Sequence, residues 1–153
     1  MKITRFEDIE AWLLARELTK KVYHLTKKAG FSRDSGLRGQ IQDAAGSSMH
    51  NIAEGFDAES NLEFMRFLRY AKRSCTEVQS ELYVSLDQQY ISESEFQEVY
   101  NHAGRTRAAV RGFIKYLLSC KRASPRTTLN AEPEPRTFKQ ENESKLNINR
   151  RLL

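Results

Sequence analysis

The chain has 153 residues, 39% hydrophobic and 29% charged, with a formal net charge of +5. That is the size of one domain with a modest core, and no apolar run approaches the roughly 18 residues that a membrane span requires. Met1-Lys2-Ile3-Thr4-Arg5-Phe6-Glu7-Asp8 carries acids where a secretory leader needs its apolar stretch, so a cytoplasmic protein with Cys75 and Cys120 as free thiols is expected.

The charge is unevenly spread. Residues 121–153 hold 8 basic and 4 acidic side chains, which leaves 17 basic against 16 acidic in residues 1–120. The part expected to fold is nearly neutral, so any affinity for phosphate must come from local patches.

Four segments show helical periodicity. In the first, Ala11, Leu14, Ala15, Leu18, Val22, Leu25 and Ala29 recur at three- and four-residue steps. Thr4-x-x-Glu7 or Asp8 is placed to cap its start, and Ala29-Gly30 to end it. The second runs from about Gly36 to Glu54 on a stripe of Leu37, Ile41, Ala44, Ala45, Ser48 and Ile52, with Gly55 closing it. Its many small residues predict a neighbouring backbone at close range.

The third helix opens with the capping box Ser60-x-x-Glu63 and carries Phe64, Phe67, Leu68, Ala71, Cys75, Val78, Leu82 and Leu86. The fourth opens with Ser92-x-x-Glu95 and carries Phe96, Val99, Tyr100, Ala103, Val110, Ile114, Leu117 and Leu118. Helices of this length span about 30 Å, and connections of a few residues cannot recross that distance. Sequential helices must therefore alternate in direction. The expected fold is all-α: an antiparallel up-down-up-down four-helix bundle over residues 1–120. Pro125, Pro133 and Pro135 sit among polar residues in 121–153, which reads as a disordered tail. Its end, Leu146-Asn147-Ile148-Asn149-Arg150-Arg151-Leu152-Leu153, reads as a docking peptide or an idle extension.

Catalytic chemistry is missing from the pattern. A di-iron bundle needs Glu-x-x-His pairs, but Lys21, Ser47 and Val99 stand three residues before His24, His50 and His102. The pairs His50/Glu54 and Glu98/His102 have helical spacing and read as surface contacts rather than metal ligands. There is no Gly-x-Ser-x-Gly elbow and no phosphate-binding glycine loop. A non-enzymatic protein without metal or cofactor is expected.

Three features remain as candidates for function. Arg66, Arg69 and Arg73, flanked by Lys72, form a stripe on the third helix that suits a nucleic-acid backbone, the alternative being an ordinary solvated face. Ile9, Trp12 and Leu13, with Tyr23 further along, point away from the first helix's core stripe and suit self-association, unless the helix start tucks under the bundle. Gln40, Asn51 and Glu54 share a flank of the second helix, where Glu77 could join them in a structural polar network.

Gln40-Ile41-Gln42-Asp43-Ala44-Ala45-Gly46-Ser47-Ser48-Met49-His50-Asn51-Ile52-Ala53-Glu54-Gly55-Phe56 resembles the bacterial four-helix-bundle proteins first noticed as intervening-sequence proteins of 23S ribosomal RNA genes. Asn-Ile-Ala-Glu-Gly at the end of the second helix is their hallmark. Phe6-Glu7-Asp8-Ile9-Glu10-Ala11-Trp12, Glu63-Phe64-Met65-Arg66-Phe67-Leu68 and Glu77-Val78-Gln79-Ser80-Glu81-Leu82-Tyr83 extend the resemblance, which covers about residues 4 to 119. It implies a homo-oligomer, often a ring-like pentamer, with no catalytic residues. A related branch, the accessory protein of diversity-generating retroelements, implies RNA or DNA and a reverse transcriptase as partners. Gln42-Asp43 and Gln79 stand where family members often carry arginine.

Overall fold

The protein is described by a computed structural model over residues 3–123, and over residues 3–120 for side chains. The first compact unit runs to Ala123. The final helix thus takes in Lys121–Ala123, which the sequence pattern assigned to the tail; the rest of the tail, with its Leu146–Leu153 peptide, lies outside the described residues.

Asp8 sets where the chain first turns. Its carboxylate accepts from Thr4 N and Thr4 Oγ1 at 3.0 Å and from Arg5 N at 3.2 Å. The Thr4 N–H bond is the main cause holding this carboxyl below its ordinary pKa. These bonds close a short 3-10 turn at Phe6–Asp8. The expected cap therefore serves that turn. Helix α1, Glu10–Leu25, starts instead from an extended Ile9 with no side-chain cap.

α1 also ends before Ala29-Gly30. Buried Thr26 stops it: the hydroxyl donates to Tyr23 O at 3.2 Å and accepts from Gln42 Nε2 at 2.7 Å. A separate short helix, α2 (Ala29–Arg33), follows and contains Gly30. It seats Phe31 in the core, stacked on Tyr90 at 5.5 Å, while Ala29 is exposed.

Asp34 then caps α3, Ser35–Phe56, by accepting from Leu37 N at 3.0 Å. Gly55 lies inside α3 rather than closing it. A Cβ there would stand 2.6 Å from Phe64 Cδ2 and 2.8 Å from Phe67 Cβ, so glycine is what lets the next helix approach. α4, Asn61–Asp87, is capped by Ser60 Oγ, which accepts from Glu63 N at 3.2 Å. It stops in a left-handed cap with Gln89 at φ 58° and Tyr90 N bonded to Ser85 O at 2.9 Å. α5, Glu93–Ala123, begins with a complete capping box: Glu95 N donates to Ser92 Oγ at 3.3 Å and Ser92 N to Glu95 Oε2 at 2.8 Å.

Cross-helix bonds show how the long helices are laid. Thr19 of α1 and Thr26 at its end meet Ala45 and Gln42 of α3. Ser74 of α4 bonds Ser47 of α3, whereas Phe64 packs at Gly55. Gln79 meets Tyr100 of α5, and Phe64 meets Phe113 at 5.4 Å. Leu14 of α1 meets His102 of α5, and Lys21 meets Glu98. Along each pair one number rises as the other falls, so α3 packs antiparallel between α1 and α4, and α5 antiparallel between α4 and α1. Among the described residues no helix is long and apolar enough to cross a membrane.

The core has two apolar halves. One holds Leu18, Val22, Phe31, Ile41, Cys75, Leu82 and Phe96; the other holds Ile9, Ala15, Ile52, Leu68, Val110 and Leu117. At the level where they meet, α3, α4 and α5 carry Ser48, Ser74 and Thr106, all buried. Each hydroxyl is satisfied: Ser48 donates to Ala45 O at 2.7 Å, Ser74 to Ser47 Oγ at 3.0 Å, and Thr106 to His102 O at 2.9 Å. Small polar side chains that spend their protons on nearby acceptors allow close helix approach without an unpaired group.

Candidate nucleic-acid interface

Two acid-free stretches come together in the bundle. Residues 64–76 of α4 contain Arg66, Arg69, Lys72 and Arg73 with no acid, and residues 99–120 of α5 contain Arg105, Arg107, Arg111 and Lys115 with no acid. Antiparallel packing sets them side by side, since Phe64 lies at Phe113 and Thr76 at Arg107. Of the acids at this end of the bundle, Glu10, Glu54 and Asp57 belong to α1, to α3 and to the turn after α3, while Glu63 stands on α4 one turn before Arg66.

Within this surface Lys72, Thr76, Gly104, Arg107, Ala108 and Arg111 line an open groove of 300 Å³. Gly104 and Ala108 keep the α5 wall low, while the guanidinium of Arg107 crosses to donate to Thr76 Oγ1 and Gln79 Oε1, both at 3.4 Å. Gln79 is held in turn by donating to Tyr100 O at 3.3 Å. At 100° per residue, Arg69, Arg73 and Arg66 continue from Lys72 round the outer face of α4. All three are exposed. Arg66 Nε donates to Tyr70 Oη at 3.0 Å, and that bond raises the guanidinium pKa further.

The ion pairs among the described residues lie elsewhere: Arg5–Asp8, Lys20–Glu17, Lys21–Glu98 and Lys28–Glu95. None of Arg66, Arg69, Lys72, Arg73, Arg107 and Arg111 takes part in one. Cations held near one another outside ion pairs leave a positive local field that an anionic polymer can neutralise.

The other candidate residues are placed differently from expectation. Ile9 is in the core at 2% exposure, and Trp12 is half-buried with its ring edge-on to Phe6 at 4.9 Å. The start of α1 tucks under the 3-10 turn, which places both against Ile3 and Phe6 in the same apolar half of the core. Leu13 and Tyr23 stay exposed, at 49% and 47%. The polar quartet does not assemble. Asn51 donates to Ser47 O at 2.8 Å and Ser47 Oγ at 2.9 Å, while Gln40, Glu54 and Glu77 face solvent. Glu77 acts on Glu81 instead: burial first, then the Glu77 charge, pushes the Glu81 carboxyl up.

One buried polar residue was missed by sequence reasoning. His102 is 3% exposed; its Nε2 lies 2.9 Å from Leu14 O and its Nδ1 2.9 Å from Arg105 Nη2. A carbonyl only accepts and a guanidinium only donates, so the ring is neutral with its proton on Nε2. Nε2 ties α5 to α1, and Nδ1 is spent on Arg105 one turn along α5. The i,i+4 spacing to Glu98 is a local signal for a surface contact, whereas the Leu14 carbonyl that holds the ring lies on another helix and leaves none. Cys75 is buried as its place on the apolar stripe requires, and desolvation pushes its thiol up to about 12. Among the described residues no group of His, Cys, Asp and Glu is arranged to hold a metal.

Fold and surface together define a four-helix bundle with a cationic α4–α5 face. The chain belongs to the 23S rRNA-intervening sequence protein family, whose model matches residues 7–112. Among solved structures, a protein of unknown function from the S23 ribosomal protein family of Bacteroides thetaiotaomicron shares the fold, with a TM-score of 0.65 and 20% identity over 69% of this chain and 98% of that one. A search of curated proteins returned no match.

Proposed function

We propose that the chain is a non-enzymatic bundle that associates with nucleic acid through the α4–α5 face. The observation that carries this reading is the pairing of two acid-free helical stretches, whose cations make no ion pair among the described residues. The spent ring nitrogens of His102 and the protonated thiol of Cys75 support the non-enzymatic part. A cytoplasmic setting, in which both thiols stay reduced, suits this role. RNA is the first probe to use, because the family's description concerns an intervening sequence of 23S rRNA.

The test is RNA and DNA binding across a salt series, comparing the chain with its Arg66/Arg69/Arg73→Ala variant. Each lost single-strand phosphate contact lowers the slope of log K against log salt by about 0.7, so three lost contacts lower it by about 2. No binding by the unaltered chain would leave a protein-interaction scaffold as the function.

Self-association is a second reading, favoured by the exposure of Leu13 and Tyr23 on α1. A pentamer is the form that the family resemblance implies. Leu13→Asp with Tyr23→Asp is expected to lower the mass measured by light scattering, and an unchanged mass would remove α1 from the interface.

A further inference from the structure

The α4–α5 face carries an aromatic ring that charge alone does not use. Tyr23, Tyr70, Tyr83 and Tyr116 are the exposed tyrosines among the described residues. Tyr83 is packed with Phe96 at 4.9 Å and Tyr100 at 5.7 Å, near the Glu93 charge. Tyr116 stacks on Phe113 at 6.0 Å. Tyr23 stands on α1. Only Tyr70 sits among the α4 arginines, one turn from Arg66 and from Arg73 and next to Arg69.

The ring belongs to neither apolar half of the core, yet it is held in place. Phe67 meets it edge-on at 6.4 Å with the planes at 88°. The guanidinium carbon of Arg66 lies 5.7 Å from its centroid, and Arg66 Nε bonds its hydroxyl. Both neighbours come from the same helix, so the ring's direction is set before any ligand arrives and little side-chain freedom is left to lose.

We infer that Tyr70 is a stacking platform for an unpaired base, so that this face selects single-stranded nucleic acid over duplex. The inference rests on the nucleic-acid reading above and names the substrate class for the same surface. Bases in a duplex stack on one another and offer only their edges, whereas a splayed base presents a π-face to an aromatic side chain. Arginines within one turn of Tyr70 contact the adjoining phosphates. A duplex would use the same arginines and leave the ring idle.

The experiment measures equilibrium binding of a short single-stranded RNA, and of the same strand in a duplex, by the full chain and its Tyr70→Ala and Tyr70→Phe variants. Tyr70→Ala is expected to weaken single-strand binding by about 5- to 150-fold, with duplex affinity and both salt slopes unchanged. Tyr70→Phe, which keeps the ring and loses the bond to Arg66, is expected to bind like the unaltered chain. Equal losses on both substrates, no loss with alanine, or an equal loss with phenylalanine would each overturn the platform while leaving salt-dependent binding in place. No binding of either substrate by the unaltered chain would overturn both readings together. A measurement on the unaltered chain guards against a variant that misfolds: 2-aminopurine in the single strand is expected to lose fluorescence on binding as it stacks, and unchanged fluorescence would count against the platform.

Discussion

Single residues in this bundle are decided by what stands opposite them. Gly55 is the clearest case, since a methyl group there would overlap Phe64 and Phe67. Gly55→Ala is expected to destabilise the fold by about 1–3 kcal/mol, the usual cost of overpacking, despite alanine's better helix propensity. A chemical-denaturation series measures it, and a midpoint raised above that of the unaltered chain would show that α4 gives way easily. Gly39 and Gly112 meet nothing within 4 Å, so alanine at either serves as the control and is expected to stabilise slightly.

At the scale of elements, the α5 start is where electrostatics and local structure coincide. Glu95 closes the box with Ser92 and also pairs with Lys28 beyond the end of α1, at 2.6 Å. The Lys28 bond first, then the Ser92 N–H, bring its carboxyl to about 2, from an ordinary 4.5. A carboxyl held low in the folded state adds stability above its ordinary value and loses it as pH falls through the folded value. The contribution is therefore whole above pH 4.5 and gone near pH 2. Lys28 and Glu95 retain 42% and 29% of their side-chain exposure, and solvent screening limits the cap and pair together to about 1 kcal/mol. Glu95→Gln is expected to cost that much at neutral pH, with the gap to the unaltered chain closing between those two values. Thermal melts across pH check it; a gap independent of pH would assign the effect to packing.

For the molecule as a whole, charge is segregated along the length of α4 and α5. Acids stand at Glu77, Glu81 and Asp87 of α4 and at Glu93, Glu95 and Glu98 of α5, and cations gather toward the other end. The bundle is nearly neutral over residues 1–120, yet one face gathers cations from residues 64–76 and 99–120 of two successive helices. If α4 and α5 act as one surface, Lys72/Arg107/Arg111→Ala should flatten the salt dependence of nucleic-acid binding about as much as the α4 arginine triple does. A full slope in that variant would confine binding to α4 alone. His102 serves the same surface indirectly, by fixing how α5 lies against α1.

The sequence by itself determined the four long helices, the Ser60 and Ser92 starts, most of the apolar stripe and the family, because periodicity, caps and short motifs are local. The all-helical class followed from the same signals. Local signals misled where a partner elsewhere in the chain decided the outcome. Thr26 and Gln42 end α1 early, the 3-10 turn takes the Thr4 and Asp8 cap and covers Ile9, and α4 needs Gly55 inside α3. The Arg66, Arg69 and Arg73 stripe with its flanking Lys72 was legible, but its extension to Arg107 and Arg111 was not. Only the tertiary structure decided that, since the field over a surface is the sum of charges on adjoining helices, and adjacency between α4 and α5 at a given height is set by packing rather than by any run of residues.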